Sequence, residues 1–178
     1  GLAITGGKVK GQGGYMAAAG GILIDNKELD NTQGDIISGA QISINTGQFT
    51  NQQGNISAQN ALTVSSDGFN NQSGTLVTNQ SLKITTQGSF SNTGGRISGD
   101  QLTLNTKEMT NTGGLLQSAT SLSINTHGQK LGNHNGTITS ADQLVIQSGI
   151  LHNNQGGSIA SRNASLSIDT DGQELQNI

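Results

Sequence analysis

The chain has 178 residues, of which 27 are Gly, three are Phe, one is Tyr and none is Pro, Cys or Trp; a globular core of that size would be richer in large side chains. Eight Lys and Arg stand against eleven Asp and Glu, which excludes the charge footprint of a nucleic-acid binder and a polyacidic tail. With no Cys there is no disulfide scaffold, thiolate metal site or Cys nucleophile, and no apolar run approaches the ~18 residues of a membrane-spanning helix.

Gly1 does not open a signal peptide, and the first residues read as the interior of a longer array. Leu2 and Ile4 close one unit, and Val9, Gly14, Met16, Ala18, Ile22 and Ile24 fit the next, with Gly11 where later units have Asn. From Leu29 the template is plain. Units start at Leu29, Phe49, Phe69, Phe90, Met109, Leu131, Leu151 and Leu175, in steps of 20, 20, 21, 19, 22, 20 and 24 residues. Such a fixed period marks a repeat architecture. The expected organisation is a single repeat segment over residues 1–178, with complete coils over 9–174.

Two positions after each start stands an Asn: Asn31, Asn51, Asn71, Asn92, Asn111, Asn133, Asn153 and Asn177. Five after it stands a Gly: Gly34, Gly54, Gly74, Gly95, Gly114, Gly136 and Gly156. An aliphatic residue follows (Ile36, Ile56, Leu76, Ile97, Leu116, Ile138, Ile159), then a small one two residues later, from Ser38 to Ser161. Each unit closes on an alternating aliphatic pair, from Ile42/Ile44 to Leu166/Ile168, which is a strand signal.

No unit of this length can bury an apolar face alone, so the units must stack. The pattern predicts an all-β, right-handed parallel β-helix of about 20 residues per coil, with equivalent residues ~4.8 Å apart and eight coils spanning ~40 Å. A leucine-rich repeat has a similar period but needs a helical element in each unit, for which these Gly, Ser, Thr and Asn segments are unsuited. Phe49, Phe69 and Phe90 are expected to stack inside, continued by Met109 and Leu131. The Asn column is expected at a turn as an amide ladder, and the small residues at a tight corner. The Gly is expected to supply a positive φ, at a substitution cost of ~1 kcal/mol or more. An extra Gly at Gly157 and the longer segments Asn125 to Lys130 and Asp169 to Glu174 are expected to bulge from one edge.

Chemistry is sparse. His127, His134 and His152 occupy different template positions, in a loop, in a turn and outward, and no HxH or HExxH spacing joins them, so they read as surface residues. Asp30, Asp35, Asp67, Asp100, Asp142 and Asp169 also differ in position, so the facing carboxylates of glycoside hydrolysis are not expected. "DTDG" at Asp169 to Gly172 reads as a turn without the rest of a calcium loop, and "GGKVKGQGG" at Gly6 to Gly14 lacks the order of a phosphate loop. N-x-[ST] matches such as Asn71 to Ser73 and Asn135 to Thr137 follow from composition. No cofactor, metal or enzymatic activity is expected. One outward column does repeat between the closing pairs, as Ser43, Thr63, Lys83, Thr103 and Ser123, continued by Val145 and Ser167. It could meet a glycan or protein through hydrogen bonds, although Ser and Thr also suit any solvated strand face.

The template in "LDNTQGDI…QISI" and "FTNQQGNI…ALTV" resembles the haemagglutinin repeats of filamentous haemagglutinin-like exoproteins, which include large adhesins and carriers of contact-dependent growth-inhibition toxins in Gram-negative bacteria. The similarity runs from Val9 to Ile178. It implies a secreted or cell-surface filament exported by an outer-membrane secretion partner, with these coils as a monomeric shaft that does not span a membrane itself. The leading expectation is a structural shaft, and the alternative is direct adhesion to a host or target-cell receptor or glycan through the outward column or the loops at His127 and Asp171.

Overall fold

Alternation of apolar and polar residues along Ile22–Asp30, Ile42–Thr50 and Leu62–Asn70 puts Ile22, Ile24 and Leu29 and their equivalents on one side of each strand, where they are buried. A side chain of that kind on a lone strand would stay in water; stacked on the next coil it is removed from it. The computed structural model describes residues 1–178, and it is a parallel β-solenoid of about nine turns with roughly 20 residues per coil and no helix.

Each coil of the first half consists of two strands. A long strand, such as Ile42–Thr50, carries the closing pair of one unit and the start of the next; a short strand, such as Asn55–Ala58, follows the Asn turn. From Ser81 onward the long strand divides at the corner between closing pair and start, as in Ser81–Thr86 and Phe90–Ser91.

The register reproduces the repeat residue by residue. Leu29 pairs with Phe49, Phe49 with Phe69, Phe69 with Phe90, Phe90 with Met109, Met109 with Leu131, Leu131 with Leu151 and Leu151 with Leu175, all parallel. Inside, the rings of Phe49 and Phe69 stack with centroids 4.4 Å apart and planes 4° from parallel, and Phe69 and Phe90 stack at 5.2 Å and 20°. Offset or stacked rings at such spacing add to plain area burial.

The changes in coil length fall at three corners rather than along one edge. The two longer segments do share a corner: Thr126 to Gln129 and Thr170 to Gln173 each form a tight turn closed by a hydrogen bond from Gln129 N to Thr126 O at 3.0 Å and from Gln173 N to Thr170 O at 2.9 Å. Both central residues have positive φ (His127 51°, Gly128 76°; Asp171 51°, Gly172 72°), the signature of a type I′ turn. The extra glycine lies elsewhere, in the Asn turn. Gly156 is the added residue, with φ 80°, and Gly157 takes the template position, since Asn153 Nδ2 donates to its carbonyl at 2.9 Å and Ser158 N bonds Gly136 O one coil back. At a third corner the coil from Phe90 has lost a residue. The pairing of Arg96–Asn105 with Leu115–Asn125 therefore shifts between Gly99 and Gln101.

Candidate functional site

The sequence directs attention to one buried column, one outward column and the loops. At the buried column the chain turns through Asn-x-x-Gly, with Gly34 N bonded to Asn31 O at 3.0 Å and the residue before the Gly in the left-handed region: Gln33, Gln53, Ser73 and Asn135 at φ 50–57°. This is the conformation of a type II turn, which favours Gly or Asn third, and Gly13, Gly94 and Gly113 take that place in other coils. The side chains of Asn31, Asn51, Asn71, Asn92, Asn111 and Asn133 are fully buried, and Asn153 nearly so. Each Nδ2 donates to the Oδ1 of the Asn one coil later, at 2.6–2.8 Å from Asn31 through to Asn177. Each also donates to the carbonyl that closes its own turn, as Asn71 does to Gly74 at 3.1 Å. Asn31 Oδ1 has no donor, because the coil before it offers Gly11.

The template Gly does not have the positive φ expected of it; the residue in front of it does. Crowding requires the Gly instead. A Cβ at Gly54, Gly74, Gly95, Gly114 or Gly136 would be driven into the carbonyl oxygen of the preceding coil's Asn and within 2.4–2.5 Å of the Oδ1 of its own coil's Asn.

A further buried polar column lies beyond the closing pairs. Asn26, Thr46, Ser66, Thr86, Thr106, Thr126 and Ser148 stand two residues beyond the second closing aliphatic and are buried. Several bond the carbonyls of the corner that follows, as Thr86 Oγ1 does to Gly88 O at 2.8 Å and Thr126 Oγ1 to Gln129 O at 2.6 Å. The alternation that buries Ile44 buries Thr46 as well, so the signal was a hydroxyl at the same offset in each coil from Thr46 to Ser148, with Asn26 in the coil before.

Outside, Ser43, Thr63, Lys83, Thr103 and Ser123 lie in register on adjacent coils. Thr63, Lys83 and Ser123 are exposed, and Ser43 and Thr103 half-buried. Lys83 is the one charge in this row. Asn45, Ser65, Thr85 and Asn105 run beside it in the same register, so the face is sparsely charged and rich in hydroxyls and amides.

On the short-strand side the lost residue opens a groove of about 390 Å³, lined by Asn79, Ser98, Gly99, Asp100, Gln117 and Arg162 among others. The 19-residue step in the sequence was its trace. A second group comes from residues read as separate surface histidines. His134 and His152 sit on neighbouring coils, half-buried, with ring centroids 6.1 Å apart and planes at 60°, and His152 Nε2 lies 4.0 Å from Glu174 Oε1. His127 stands exposed on its turn.

Among the carboxylates, Asp30 is distinctive. Burial disfavours its charge, but Thr32 donates through Oγ1 at 2.6 Å and N at 3.0 Å, Gln12 donates through Nε2, and Lys10 is near. The outcome is a carboxyl held below its ordinary range. Asp35 and Asp25 accept from Asn55 and Asn45 one coil on, at 3.2 and 2.9 Å, which aligns neighbouring coils rather than pairing acids.

Compared with known proteins, the chain matches the family described as haemagglutinin repeat over residues 2–66, 41–94, 62–134 and 119–173. No curated protein and no solved structure matches it.

Proposed function

The chain belongs to the haemagglutinin-repeat family, and from that premise we propose that it is a length of rigid shaft in a secreted or cell-surface, filamentous, adhesin-like exoprotein. The observation that carries this reading is the unbroken stacking: every coil from Leu2 to Gln176 pairs in parallel with the next, and a bonded amide column joins the coils from Asn31 to Asn177. A solenoid whose corners are tied at each step resists bending, and its length grows linearly with coil number. Reach and presentation follow from that geometry.

By family likeness, the parent is exported through an outer-membrane partner of a Gram-negative cell and folds outside. A Cys-free chain that adds one coil at a time suits that route. Whether the parent ends in an adhesive region or a toxin is a property of its other parts.

Direct adhesion is the second reading, favoured by the row Ser43, Thr63, Lys83, Thr103 and Ser123 and by the groove at Asp100 and Arg162. The labelled, monomeric 178-residue chain is applied to intact bacterial and epithelial cells beside an unrelated β-helix. A shaft gives no saturable binding above that control. Saturable binding that falls when Thr63 and Thr103 are replaced by Glu, or when Arg162 is replaced by Glu, would overturn the shaft reading and locate the adhesive face.

A further inference from the structure

One corner of the coil, between the small residue of the short strand and the closing pair, keeps a constant length along most of the rod. Three residues fill it after Ala18, Ser38, Ala58, Thr78, Ser118 and Ser140. Two coils depart from this in opposite senses. After Gly99 only Asp100 and Gln101 precede Leu102, whereas after Ser161 four residues, Arg162 to Ser165, precede Leu166. The short corner is drawn in against the coil before it: a Cβ on Gly99 would lie 3.0 Å from Thr78 Cγ2 and 3.1 Å from Gln80 O. Its neighbours keep the full length, so exposed Asn79 on one side and exposed Ala119 on the other wall the groove of about 390 Å³. Arg162, on the long corner, reaches back to line the same groove although the coil of Leu131 lies between.

The polar heads in this recess are unpaired. The Asp100 carboxylate, the Arg162 guanidinium, the Gln117 amide and the Ser98 hydroxyl take part in no side-chain hydrogen bond or ion pair of the chain, and Asn79 uses only its Nδ2, on Gln59 at 2.9 Å. The backbone beneath them is fixed. Asp100 N donates to Gln80 O at 2.9 Å, Asp100 O accepts from Thr120 Oγ1 at 2.9 Å, and Arg162 N donates to Ser140 O at 3.1 Å. A rigid frame thus presents acceptors at Asp100 and Asn79, donors at Arg162, and both kinds at Gln117 and Ser98.

The composition of the groove selects its ligand. Of nine lining residues Ala119 alone is apolar, which disfavours lipid tails and the side-chain pockets that hold a peptide. One carboxylate and one guanidinium leave it without net charge, unlike the rows of cations that hold a polyanion. A sugar hydroxyl both donates and accepts, so neighbouring hydroxyls on one ring can serve Asp100 and Arg162 together, and bonds to ionised groups are the strong ones. The groove has the size of a small-molecule site, and its walls stand two coils apart, about 10 Å.

Deepening the adhesive reading of this groove, we propose that it is a lectin subsite for an uncharged glycan, with Asp100 accepting from the sugar hydroxyls and Arg162 and Gln117 donating to them. No aromatic ring lines it for a sugar to stack on, so hydrogen bonds carry an affinity on the order of 1 mM. A single rod at that affinity gives no saturable signal on cells, and many rods side by side hold through avidity. A shaft can therefore carry the site.

The whole 178-residue chain, biotinylated at its amino terminus and displayed on streptavidin, is applied to a printed array of neutral, sialylated and sulfated oligosaccharides. The expected result is binding to a subset of the neutral ones. Titration of the ¹⁵N-labelled monomer with a neutral oligosaccharide that binds is expected to shift the amide resonances of Gly99, Asp100 and Gln117. Asp100→Ala and Arg162→Ala remove side chains that bond nothing in the chain, so melting stays near that of the parent, and each is expected to weaken the sugar about tenfold; Thr63→Glu leaves it unchanged. Binding confined to sialylated or sulfated glycans, neutral binding that survives both alanine variants, shifts centred on Thr63 and Thr103, or no binding on the array each overturns the proposal. The adhesive reading fails separately: cell binding by the monomer that Thr63→Glu abolishes and Arg162→Ala leaves intact would keep adhesion and remove the groove from it.

Discussion

Replacing Gly74 with Ala isolates the reason for the template glycine. The added methyl would overlap the Asn51 carbonyl oxygen and lie 2.5 Å from Asn71 Oδ1 and 2.8 Å from Asn51 Nδ2, against the roughly 3.5 Å at which a carbon settles on its neighbours. Coils fixed at ~4.8 Å by their backbone bonds cannot part locally. The overlap with the Asn51 carbonyl therefore stays as overpacking, and the Asn71 side chain is pushed out as well, opening its bonds with Gly74 at 3.1 Å and Asn51 at 2.8 Å. Overpacking at about 1–3 kcal/mol and a buried amide left without partners at about 1–3 kcal/mol sum to a loss of about 2–6 kcal/mol. Gly113→Ala is the comparison. Gly113 has φ 61° and nothing within 4 Å of a built Cβ, so only the left-handed conformation costs, about 1–2 kcal/mol. Urea unfolding followed by far-UV circular dichroism separates the two. With a slope of ~2 kcal/mol/M, the Gly74→Ala midpoint is expected to lie on the order of 1 M below that of Gly113→Ala. Equal midpoints, or a lower one for Gly113→Ala, would return the explanation to backbone conformation.

Phe69→Ala removes the middle ring of the stack and is expected to cost about 3–5 kcal/mol; a near-neutral urea midpoint would contradict its burial between Phe49 and Phe90. Gly11→Asn supplies a donor for the orphaned Asn31 Oδ1 and is expected to raise stability by about 1 kcal/mol, read as a higher melting temperature; an unchanged or lower value would show that the first coil cannot hold a rung. Asp30 has its carboxyl held below the ordinary range in the folded state. Its contribution is therefore complete above that range and disappears as pH falls through the folded value. Melting of Asp30→Asn is expected to fall slightly below the parent at pH 7 and to approach it as the pH is lowered through the folded-state value; a gap that does not narrow in acid would refute the linkage.

The architecture was legible because stacking makes each inward position answer to its equivalents in the coils on either side. The uneven steps of 19 to 24 residues are the same steps found in the strand register, from Leu29↔Phe49 to Leu151↔Leu175. What escaped depends on neighbours across coils. A glycine required by a backbone one coil away looks, in one dimension, like a glycine required by its own φ; the Gln and Ser residues in front of it, unusual at positive φ, were the clue. The pair Gly156 and Gly157 gave no sequence ground for choosing which was added. His134 and His152 fell in different template columns, 18 residues apart, and only the lateral offset between adjacent columns on successive coils brings their rings together. The Thr46 column continues the inward alternation beyond its last aliphatic residue, and its small polar side chains resemble those of a solvated strand end.

Every rung of the Asn column faces the same way: NH₂ of one coil meets oxygen of the next, from Asn31 to Asn177. A single side chain rotated by half a turn would oppose oxygen to oxygen on one side and NH₂ to NH₂ on the other, so each amide copies the sense of its neighbour. The column is therefore a row of like-directed dipoles, additive in the way that peptide dipoles add along a helix. Its oxygen end points toward Gly11 and its hydrogen end toward Ile178. A rod built of such coils has an electrical head and tail, and a coil joining at the tail must present oxygen. The two ends of the rod are thus chemically distinct, one offering oxygen and the other NH₂.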